Sequence, residues 1–190
     1  MRVKDELKKD ALFAATIKVV NKIGLASSSV SKIAKAAGIS PATIYIYHKN
    51  KEDLLVSTYV DIKRTLSQAL LKDFDDSKPV RDILKKIWMN GFEYASSHRE
   101  QLGYADQFSN SPYADLVNTA EVERHYAPIT EVVNRGIAEK VIKDVEYDLI
   151  IAFMLKPMLI LANRRICTHF EQTQENIEKA FDLAWDAIKA

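Results

Sequence analysis

Hydroxyl and lysine side chains crowd a short segment near the amino terminus. Four of its residues carry hydroxyl groups and two carry positive charge: Ser40, Thr43, Tyr45, Tyr47, Lys49 and Lys51. Such groups bind phosphate oxygens, and those on a short helix can also reach the edges of bases in a groove. The residue types therefore indicate contact with a nucleic acid rather than covalent chemistry.

Patterns typical of catalysis do not occur in the sequence. The four histidines lack metal-ligand spacing, and there is neither an HExxH pattern nor a glycine-rich phosphate loop. Cys167 and His169 have the chemistry of a nucleophile and a base, but residues two apart on a helix point in different directions. We therefore predict that the chain is not an enzyme and has no catalytic residue, metal or cofactor.

Two short helices joined by a tight turn are predicted around the hydroxyl-rich segment. Ser29 can cap the first helix, and Gly38 can adopt the left-handed conformation that ends it. The first of the two helices has an apolar face, whose residues are spaced three and four positions apart: Val30, Ile33, Ala34 and Ala37. A helix-turn-helix of this size can insert its second helix into a major groove.

The second helix has its own start signals. Ser40 can act as its N-cap, and Pro41 suits the first helical position because its missing N–H has no partner there. Ile39 and Ile44 flank the cap at the spacing of a hydrophobic staple. These signals predict a helix that is fixed at its start and leaves its other side chains free.

Positive charge is concentrated at the amino end of the chain. Residues 1–51 contain ten Lys and Arg against three acidic residues, a net +7, and the rest carry 17 basic and 23 acidic side chains, a net −6. This asymmetry indicates that only the first part meets a polyanion. The longest apolar run, residues 149–162, is too short to span a bilayer. With no signal peptide and one cysteine, the protein is expected in the cytoplasm, without membrane contact.

Helical periodicity runs through the chain, and no alternating strand pattern occurs. Asn50 can cap a long helix, with Asp53 favouring its positive end, and Ser97 with Glu100 form a capping-box pattern. The predicted helices are about 5–23, the two short ones above, 51–74, 80–96, one from Ser97, one from Ser111, 120–140, 144–169 and 174–189.

The stretch from about residue 8 to 59 resembles the DNA-binding domain of the TetR family of transcriptional regulators (TetR/AcrR-type). The resemblance is carried by an ordered set of elements: Gly24, Ser29-Val30, Ile33-Ala34, Ala37-Gly38-Ile39-Ser40, Thr43-Ile44-Tyr45, Tyr47, and Lys51 with Leu54. His48 departs from the pattern, because the family usually has phenylalanine there, packed into the small domain.

The resemblance implies an all-α fold with two functional parts. Residues 1–51 would form a three-helix, helix-turn-helix DNA-binding domain, and a helix at about 51–74 would connect it to the remainder. Residues 75–190 would form a helical ligand-binding and dimerisation domain. Each subunit would then place its second short helix in the major groove of double-stranded DNA, as helix-turn-helix proteins do.

Individual DNA contacts are expected from this placement. Residues at the start of the second helix and along it are expected to contact base edges: Ser40, Ala42, Tyr45 and, for a thymine methyl, Ile46. Phosphates are expected at Ser29, Thr43, Tyr47 and Lys51. Two subunits would read palindromic half-sites about one helical turn apart, roughly 34–36 Å.

The last two predicted helices are expected to join two copies of the chain. Residues 150–161 are apolar on nearly every side, and such a helix needs more partners than a small monomer offers. The last helix has an apolar stripe at Ile177, Phe181, Ala184 and Ile188. Proteins of the resembled family pair through these helices as a four-helix bundle. The alternative is that the first of them is only the central core helix of the monomer.

A small-molecule effector, of a kind the sequence does not identify, is expected between the middle helices. The predicted lining is Trp88, Phe92, Tyr104, Phe108, Tyr113 and Tyr126, with polar anchors Gln107, Arg124, His125, Asn134 and Lys156. The same aromatic residues can instead be core. Lys156 can bind an acidic ligand, pair with a carboxylate or extend to solvent.

The resulting hypothesis is a sequence-specific, ligand-responsive repressor of the TetR type. Its effector would shift the population towards a state with wrongly spaced reading helices, with the helix at 51–74 acting as a lever. Two alternatives remain: a constitutive or architectural helix-turn-helix protein without an effector, and an activator of the same fold. Ligand-dependent loss of DNA binding would separate a regulator from the architectural alternative.

Overall fold

The computed structural model describes residues 2–190, with side chains from residue 5 onwards. These residues form ten α-helices and one short 3₁₀ helix, η1. In chain order they are α1 (Arg2–Ser27), α2 (Val30–Ala37), α3 (Pro41–Tyr47), α4 (Lys51–Leu70), α5 (Val80–Ser97), α6 (Arg99–Ser109), η1 (Pro112–Leu116), α7 (Thr119–Ala138), α8 (Tyr147–Met154), α9 (Lys156–Ala162) and α10 (Gln174–Ile188). Apart from an isolated bridge between Ile142 and Lys189, no β-structure occurs in this range. The predicted all-α fold is confirmed.

The contacts divide the chain into two compact units. The first unit consists of Met1–Lys63 and Glu100–Thr119, and the second of Arg64–Arg99 and Ala120–Ala190. The first unit therefore contains α6 and η1 as well as the first helices. The predicted division into residues 1–51 and 75–190 follows chain order instead and differs from this grouping.

Two apolar clusters build the first unit. One is centred on Ile33 and Ile44, both fully buried, and joins α2 and α3 to α1 and the start of α4. The other contains Tyr104 and Phe108 of α6, which pack against α1 and α4. The Tyr104 hydroxyl donates to the Leu55 carbonyl at 2.8 Å, so its burial leaves no unpaired polar group. Through this second cluster, α6 supports the helices that carry the site.

Helix α5 is the most buried element of the second unit. Trp88 is fully buried and packs with Phe92 and Phe181 at ring-centroid distances of 5.8 and 6.1 Å. Gly91 lets α9 approach closely, because a Cβ atom there would lie 2.3 Å from the Met158 sulfur. The core of this unit therefore depends on close contact between α5, α9 and α10.

The prediction of one helix over residues 144–169 is wrong. The chain forms α8 and α9 instead, which are separated at Leu155, and Pro157 in the first turn of α9 has no N–H to continue the hydrogen-bond ladder. Helix α9 then ends at Ala162, where the Gln172 side chain donates to the last carbonyls at 3.1 Å. Residues 163–173 form turns.

Two further expectations about helix ends are also wrong. The Ser97 hydroxyl donates back to the Glu93 carbonyl at 2.8 Å, so it closes α5 and does not cap α6. Helix α4 ends at Leu70, four residues before the predicted end, because the side chain of Asn90 donates to the Leu70 and Lys72 carbonyls. A local side chain therefore closes α5, whereas a side chain 20 residues away binds the end of α4.

Candidate nucleic-acid interface

The segment from Ser29 to the end of α3, which we call the reading head, is fixed by local hydrogen bonds. The Ser29 hydroxyl accepts the Lys32 N–H at 3.3 Å and caps α2. Gly38 has φ 67° and ψ 28°, the left-handed conformation that was predicted for the end of this helix. The next N–H, of Ile39, returns to the Ala34 carbonyl at 3.0 Å. The turn is therefore built from the signals present in the sequence.

Helix α3 is anchored at its start and by one buried side chain. The Ser40 hydroxyl accepts the Thr43 N–H at 3.2 Å and lies 2.9 Å from the Thr43 hydroxyl. Ile44 is fully buried in the cluster around Ile33, and Ile39 packs against the same cluster. The exposed residues of α3, among them Tyr45 and Ile46, are consequently available to a partner.

The outward face of α3 carries large side chains. Tyr45 is 56% exposed and Ile46 is 75% exposed. Ser40, Pro41 and Ala42 are exposed as well. Exposed tyrosine and isoleucine side chains on a short helix lower the solubility of a protein unless a partner covers them. Both side chains can contact base edges in a groove. All five residues predicted to reach bases or to start the helix thus lie on accessible surface.

Two of the predicted phosphate contacts have accessible hydroxyl groups. Ser29 is exposed and its hydroxyl caps α2, whereas Thr43 is half-buried and its hydroxyl lies 2.9 Å from the Ser40 hydroxyl, the cap of α3. The capping oxygen of Ser29 accepts a backbone N–H and still has its own O–H to donate, and the Thr43 O–H is available when the Ser40 hydroxyl donates to it. Ser29 and Thr43 can therefore hold a phosphate without leaving their positions.

Tyr47 is engaged within the protein. Its hydroxyl donates to the Asp5 carboxylate, and the Lys9 ammonium lies 5.3 Å from the centre of its ring. The hydrogen bond to Asp5 raises the pKa of Tyr47 above its ordinary value. A phosphate contact by Tyr47 would therefore require exchange of the Asp5 carboxylate for a phosphate oxygen.

Lys51 is half-buried, and its ammonium group binds backbone carbonyls. It donates to the Leu25 carbonyl at 2.8 Å and to the Ala26 carbonyl at 3.3 Å, both at the end of α1. It also lies 5.7 Å from the centre of the Tyr113 ring. Two of its three N–H groups are therefore used and one is left for the predicted phosphate contact, which stays a prediction.

His48 ends α3 and packs against the first turns of α4. Its Nδ1 atom lies 3.3 Å from the Ser57 hydroxyl and 3.5 Å from an Asp53 carboxylate oxygen. Burial lowers the pKa of His48, and the charge of Asp53 opposes this effect. Asn50 caps α4 as predicted, with its side-chain oxygen 2.8 Å from the Asp53 N–H.

Two exposed lysines belong to the reading head or follow it. Lys35 lies on α2, and Lys49 follows α3 after His48. Lys49 was named from the sequence with the hydroxyl-rich segment, whereas the net +7 of residues 1–51 was the only sequence signal for Lys35. The positive charge of both lysines suits a polyanion.

Comparison with known families decides the identity of the chain. The family model described as "Bacterial regulatory proteins, tetR family" matches residues 12–58, which include the reading head. The model described as "Tetracyclin repressor-like, C-terminal domain" matches residues 79–189, more than half of the chain. The chain belongs to the TetR family. It is a DNA-binding transcriptional regulator, as the sequence predicted.

Solved and curated TetR-family proteins resemble the chain over its whole length. A TetR family transcription regulator from Marinobacter aquaeolei VT8 is 36% identical, covers 100% of this chain and 99% of its own, and superposes with a TM-score of 0.92. An HTH-type transcriptional regulator from Haemophilus influenzae is 25% identical over 95% of both chains. The regulator FadR from Bacillus subtilis, solved in complex with stearoyl-CoA, shares the fold: its TM-score is 0.72 at 19% identity, over 95% of this chain and 97% of its own.

The predicted effector residues of this TetR-family chain fall into both compact units. The first unit contains Tyr104, Gln107, Phe108 and Tyr113, and the Gln107 side chain donates to Asn21 at 3.0 Å. The others belong to the second unit: Trp88, Phe92, Arg124, His125, Tyr126, Asn134 and Lys156. Which of them contact an effector stays a prediction.

Trp88 has a structural task in the second unit. Its indole N–H donates to the Met154 carbonyl at 2.9 Å, at the point where α8 ends. Arg124 and Lys156 are exposed, whereas His125 and Tyr126 are half-buried. Lys156 therefore extends to solvent, which was one of its three predicted alternatives.

The second unit includes cavities beside the segment before α5 and beside α10. One has a volume of about 250 Å³ beside the segment between α4 and α5, including Phe74 and Ile83. The other, about 460 Å³, lies beside α10 and includes Phe170 and Leu183. Among residues 5–190, no group of three or more His, Cys, Asp or Glu side chains is arranged to hold a metal ion. None of the described helices combines the length and hydropathy needed to cross a membrane.

Proposed function

We propose that this TetR-family chain is a homodimeric, ligand-responsive repressor that reads a palindromic operator with α3, in the cytoplasm. The observation that carries the proposal is the division of α3 into one buried anchor, Ile44, and an exposed face with Tyr45 and Ile46. A helix held by its own cap and one core side chain can enter a groove without unfolding.

The proposed contacts follow from the accessibility of the reading head. Base edges are assigned to Ser40, Ala42, Tyr45 and Ile46, which lie at or beyond Pro41. Phosphates are assigned to Ser29 and Thr43, and to Tyr47 after it exchanges Asp5. Lys51 is assigned to a phosphate through its third N–H, because the other two are bound to carbonyls.

Dimerisation is assigned to the helices at the carboxyl end. Four large apolar side chains of α8, α9 and α10 are between 48% and 74% exposed in a single chain: Leu149, Phe153, Ile160 and Leu183. Such a surface is typical of a protein–protein interface. Two linked reading heads would engage both half-sites together and so raise the affinity far above that of one head.

An effector is assigned to the part of the chain that follows the reading head. TetR-family proteins bind small-molecule effectors, and FadR of Bacillus subtilis was solved with stearoyl-CoA. An effector that prefers a dimer with wrongly spaced reading heads would weaken operator binding by its differential affinity for the two states. The predicted effector-binding residues around Trp88 and Phe92 are the first ones to substitute in a test of effector binding.

Selection of bound duplexes from a random pool tests DNA recognition. We expect a palindromic site that binds the wild-type dimer at least about a thousandfold more tightly than random duplexes at matched salt. Equal binding to all duplexes would favour an architectural protein, and no binding at low salt would exclude the proposal. The genes beside genomic copies of the site then suggest which compounds to test as effectors that release the protein from DNA. Reporter assays separate repression from activation.

A further inference from the structure

We propose that a second copy of the chain docks antiparallel on α8 and α9, with the two-fold axis beside Ala152, so that Lys156 of each subunit pairs with Asp148 of the partner subunit. This inference rests on the dimer of the proposed function and deepens it, because it fixes the register of the two subunits. It starts from two exposed side chains, Lys156 and Asp148, that form no ion pair among residues 5–190.

The ion pairs of the carboxyl-terminal helices single out these two charges. All four acidic residues of α10 already have a cationic partner within the chain. Glu175 pairs with Lys179, Glu178 with Lys85, Asp182 with Arg81 and Asp186 with Lys189. In the described helices α8, α9 and α10, the acid and the cation that lack an ion pair are therefore Asp148 and Lys156. A charge enters an interface at little cost only when an opposite charge meets it there.

Asp148, Ala152 and Lys156 form one ridge on the surface of α8 and α9. They are spaced four residues apart, and all three are exposed. Residues at this spacing line up along a helix and can pack into the groove of a neighbouring helix. Leu155, between the two helices, has φ −95° and ψ −34°, in the right-handed α region, so the ridge continues across the break.

The ridge lies among apolar side chains that no part of the chain covers fully. Leu149, Phe153 and Ile160 are between 48% and 56% exposed. Ala152, in the middle of the ridge, has the smallest of the exposed side chains and lets a second helix approach closely. The surface thus has a small residue at its centre, an acid on one side and a cation on the other.

A two-fold axis beside Ala152 makes this pattern complementary to itself. In a symmetric dimer of this kind, a residue that contacts a second residue of the partner is also contacted by it in return. Positions at equal distance from the axis face each other, so Lys156 faces Asp148 of the partner subunit and the reverse pair forms as well. An axis four residues away would bring two aspartates or two lysines together. The two charges therefore select one register and disfavour the nearest alternatives.

Charge reversal tests the proposed pairs. Asp148→Lys and Lys156→Glu should each raise the dimer dissociation constant at least about tenfold, because each brings like charges together at two symmetric places. An equimolar mixture of the two variants should form a mixed dimer with an affinity close to that of the wild type, since all facing charges are then opposite. Sedimentation velocity over a concentration series measures these constants.

The matched control for charge reversal is Glu123→Lys on α7, which is exposed and lies outside the ridge. It changes the net charge as much as Asp148→Lys does and should leave the dissociation constant unchanged. If Asp148→Lys does not fold, Asp148→Asn should partly restore the dimer of Lys156→Glu, because it removes the like charge. Single variants that dimerise like the wild type, or a mixture without recovery, would overturn the proposal.

A cysteine at the axis tests the register without any change of charge. Ala152→Cys in a Cys167→Ser background should form a disulfide between subunits under mild oxidation, because the axis brings both copies of this position together. Ile160→Cys in the same background lies eight positions from the axis and should stay reduced. Cross-linking at position 160, or none at position 152, would overturn the register.

These experiments also keep the inference separate from the proposed function. A wild-type chain that sediments as a monomer would end the proposed dimer and the pairing together. A wild-type dimer that Phe153→Asp disrupts and charge reversal does not would retain the proposed dimer surface and overturn the register alone. None of the measurements requires DNA, so operator recognition is decided independently.

Discussion

The Nδ1 atom of His48 lies 3.5 Å from Oδ2 of Asp53, the same oxygen that accepts the backbone N–H of Lys49 at 3.0 Å. The Asp53 carboxylate therefore contacts both the imidazole that ends α3 and the backbone N–H of Lys49, which lies between α3 and α4. Burial lowers the pKa of His48 despite this carboxylate, so the folded chain favours the neutral ring. A phenylalanine at this position would have no such proton to gain.

Mild acid should destabilise the wild-type chain more than His48→Phe. The pKa of folded His48 lies below its ordinary value of 6.5, so the unfolded chain takes up the proton first as the pH falls. The stability associated with the neutral ring is present above about pH 6.5 and is lost below it. Urea unfolding of both proteins between about pH 7.5 and pH 5 measures this difference. If the unfolding free energies of the two proteins changed in parallel with pH, the lowered pKa of His48 would be contradicted.

Removal of the Tyr45 side chain should reduce specificity more than general DNA binding. Tyr45 is 56% exposed on the face of α3 proposed to meet base edges. Tyr45→Ala should therefore weaken operator binding by roughly tenfold more than binding to random duplexes, the size of about one lost base contact. Fluorescence anisotropy with both duplexes at one salt concentration provides the ratio of the operator affinity to the affinity for random duplexes. Equal losses would make Tyr45 a backbone contact.

Loss of the Ser40 cap should destabilise the first unit. The Ser40 hydroxyl accepts the Thr43 N–H at 3.2 Å at the start of α3, and the Ser40 carbonyl shares this N–H at 3.0 Å. Ser40→Ala should cost about 1 kcal/mol of unfolding free energy. Ser31→Ala is the matched control, because Ser31 is exposed inside α2, and it should change stability by less than about 0.5 kcal/mol. Similar values for both variants would show that the cap is unimportant.

A charge placed on the proposed dimer surface should separate the subunits. Phe153 of α8 and Leu116 of η1 are both 56% exposed, but only Phe153 lies on the proposed interface. Phe153→Asp should raise the dimer dissociation constant at least about tenfold, since the carboxylate would lose its hydration on association. Leu116→Asp should leave it unchanged. Sedimentation velocity over a concentration series distinguishes the variants, and an intact Phe153→Asp dimer would move the interface elsewhere.

Two helical glycines should respond in opposite ways to alanine. A Cβ at Gly91 would lie 2.7 Å from a Leu70 methyl and 2.3 Å from the Met158 sulfur, so Gly91→Ala should cost about 1–3 kcal/mol through overpacking. At Gly103 the nearest atom, in Asn21, is 3.6 Å away, and Gly103→Ala should gain up to about 1 kcal/mol of helix propensity. Thermal unfolding measures both. A stabilising Gly91→Ala would show that α5 and α9 can move apart.

The reading head was predictable from the sequence because its determinants are local. The bonds of Ser29, Ser40 and Asn50 all reach partners three residues away. Gly38 forms its turn through backbone preference alone. Such interactions depend on residue type and spacing, so the order of residues suffices to predict them. The charge asymmetry and the TetR-family motif are likewise properties of the linear chain.

Contacts between distant residues were decided by the tertiary structure. The Lys51 ammonium meets a carbonyl 26 positions away, Tyr47 meets Asp5 42 positions away, and Trp88 meets the end of α8 66 positions away. Each side chain has several partners that its chemistry allows, and only packing of the helices brings one within reach. The sequence by itself thus determined the all-α class, the reading head and the family, but not the break between α8 and α9. The tertiary structure decided which of the charged and aromatic side chains remain available for DNA or an effector.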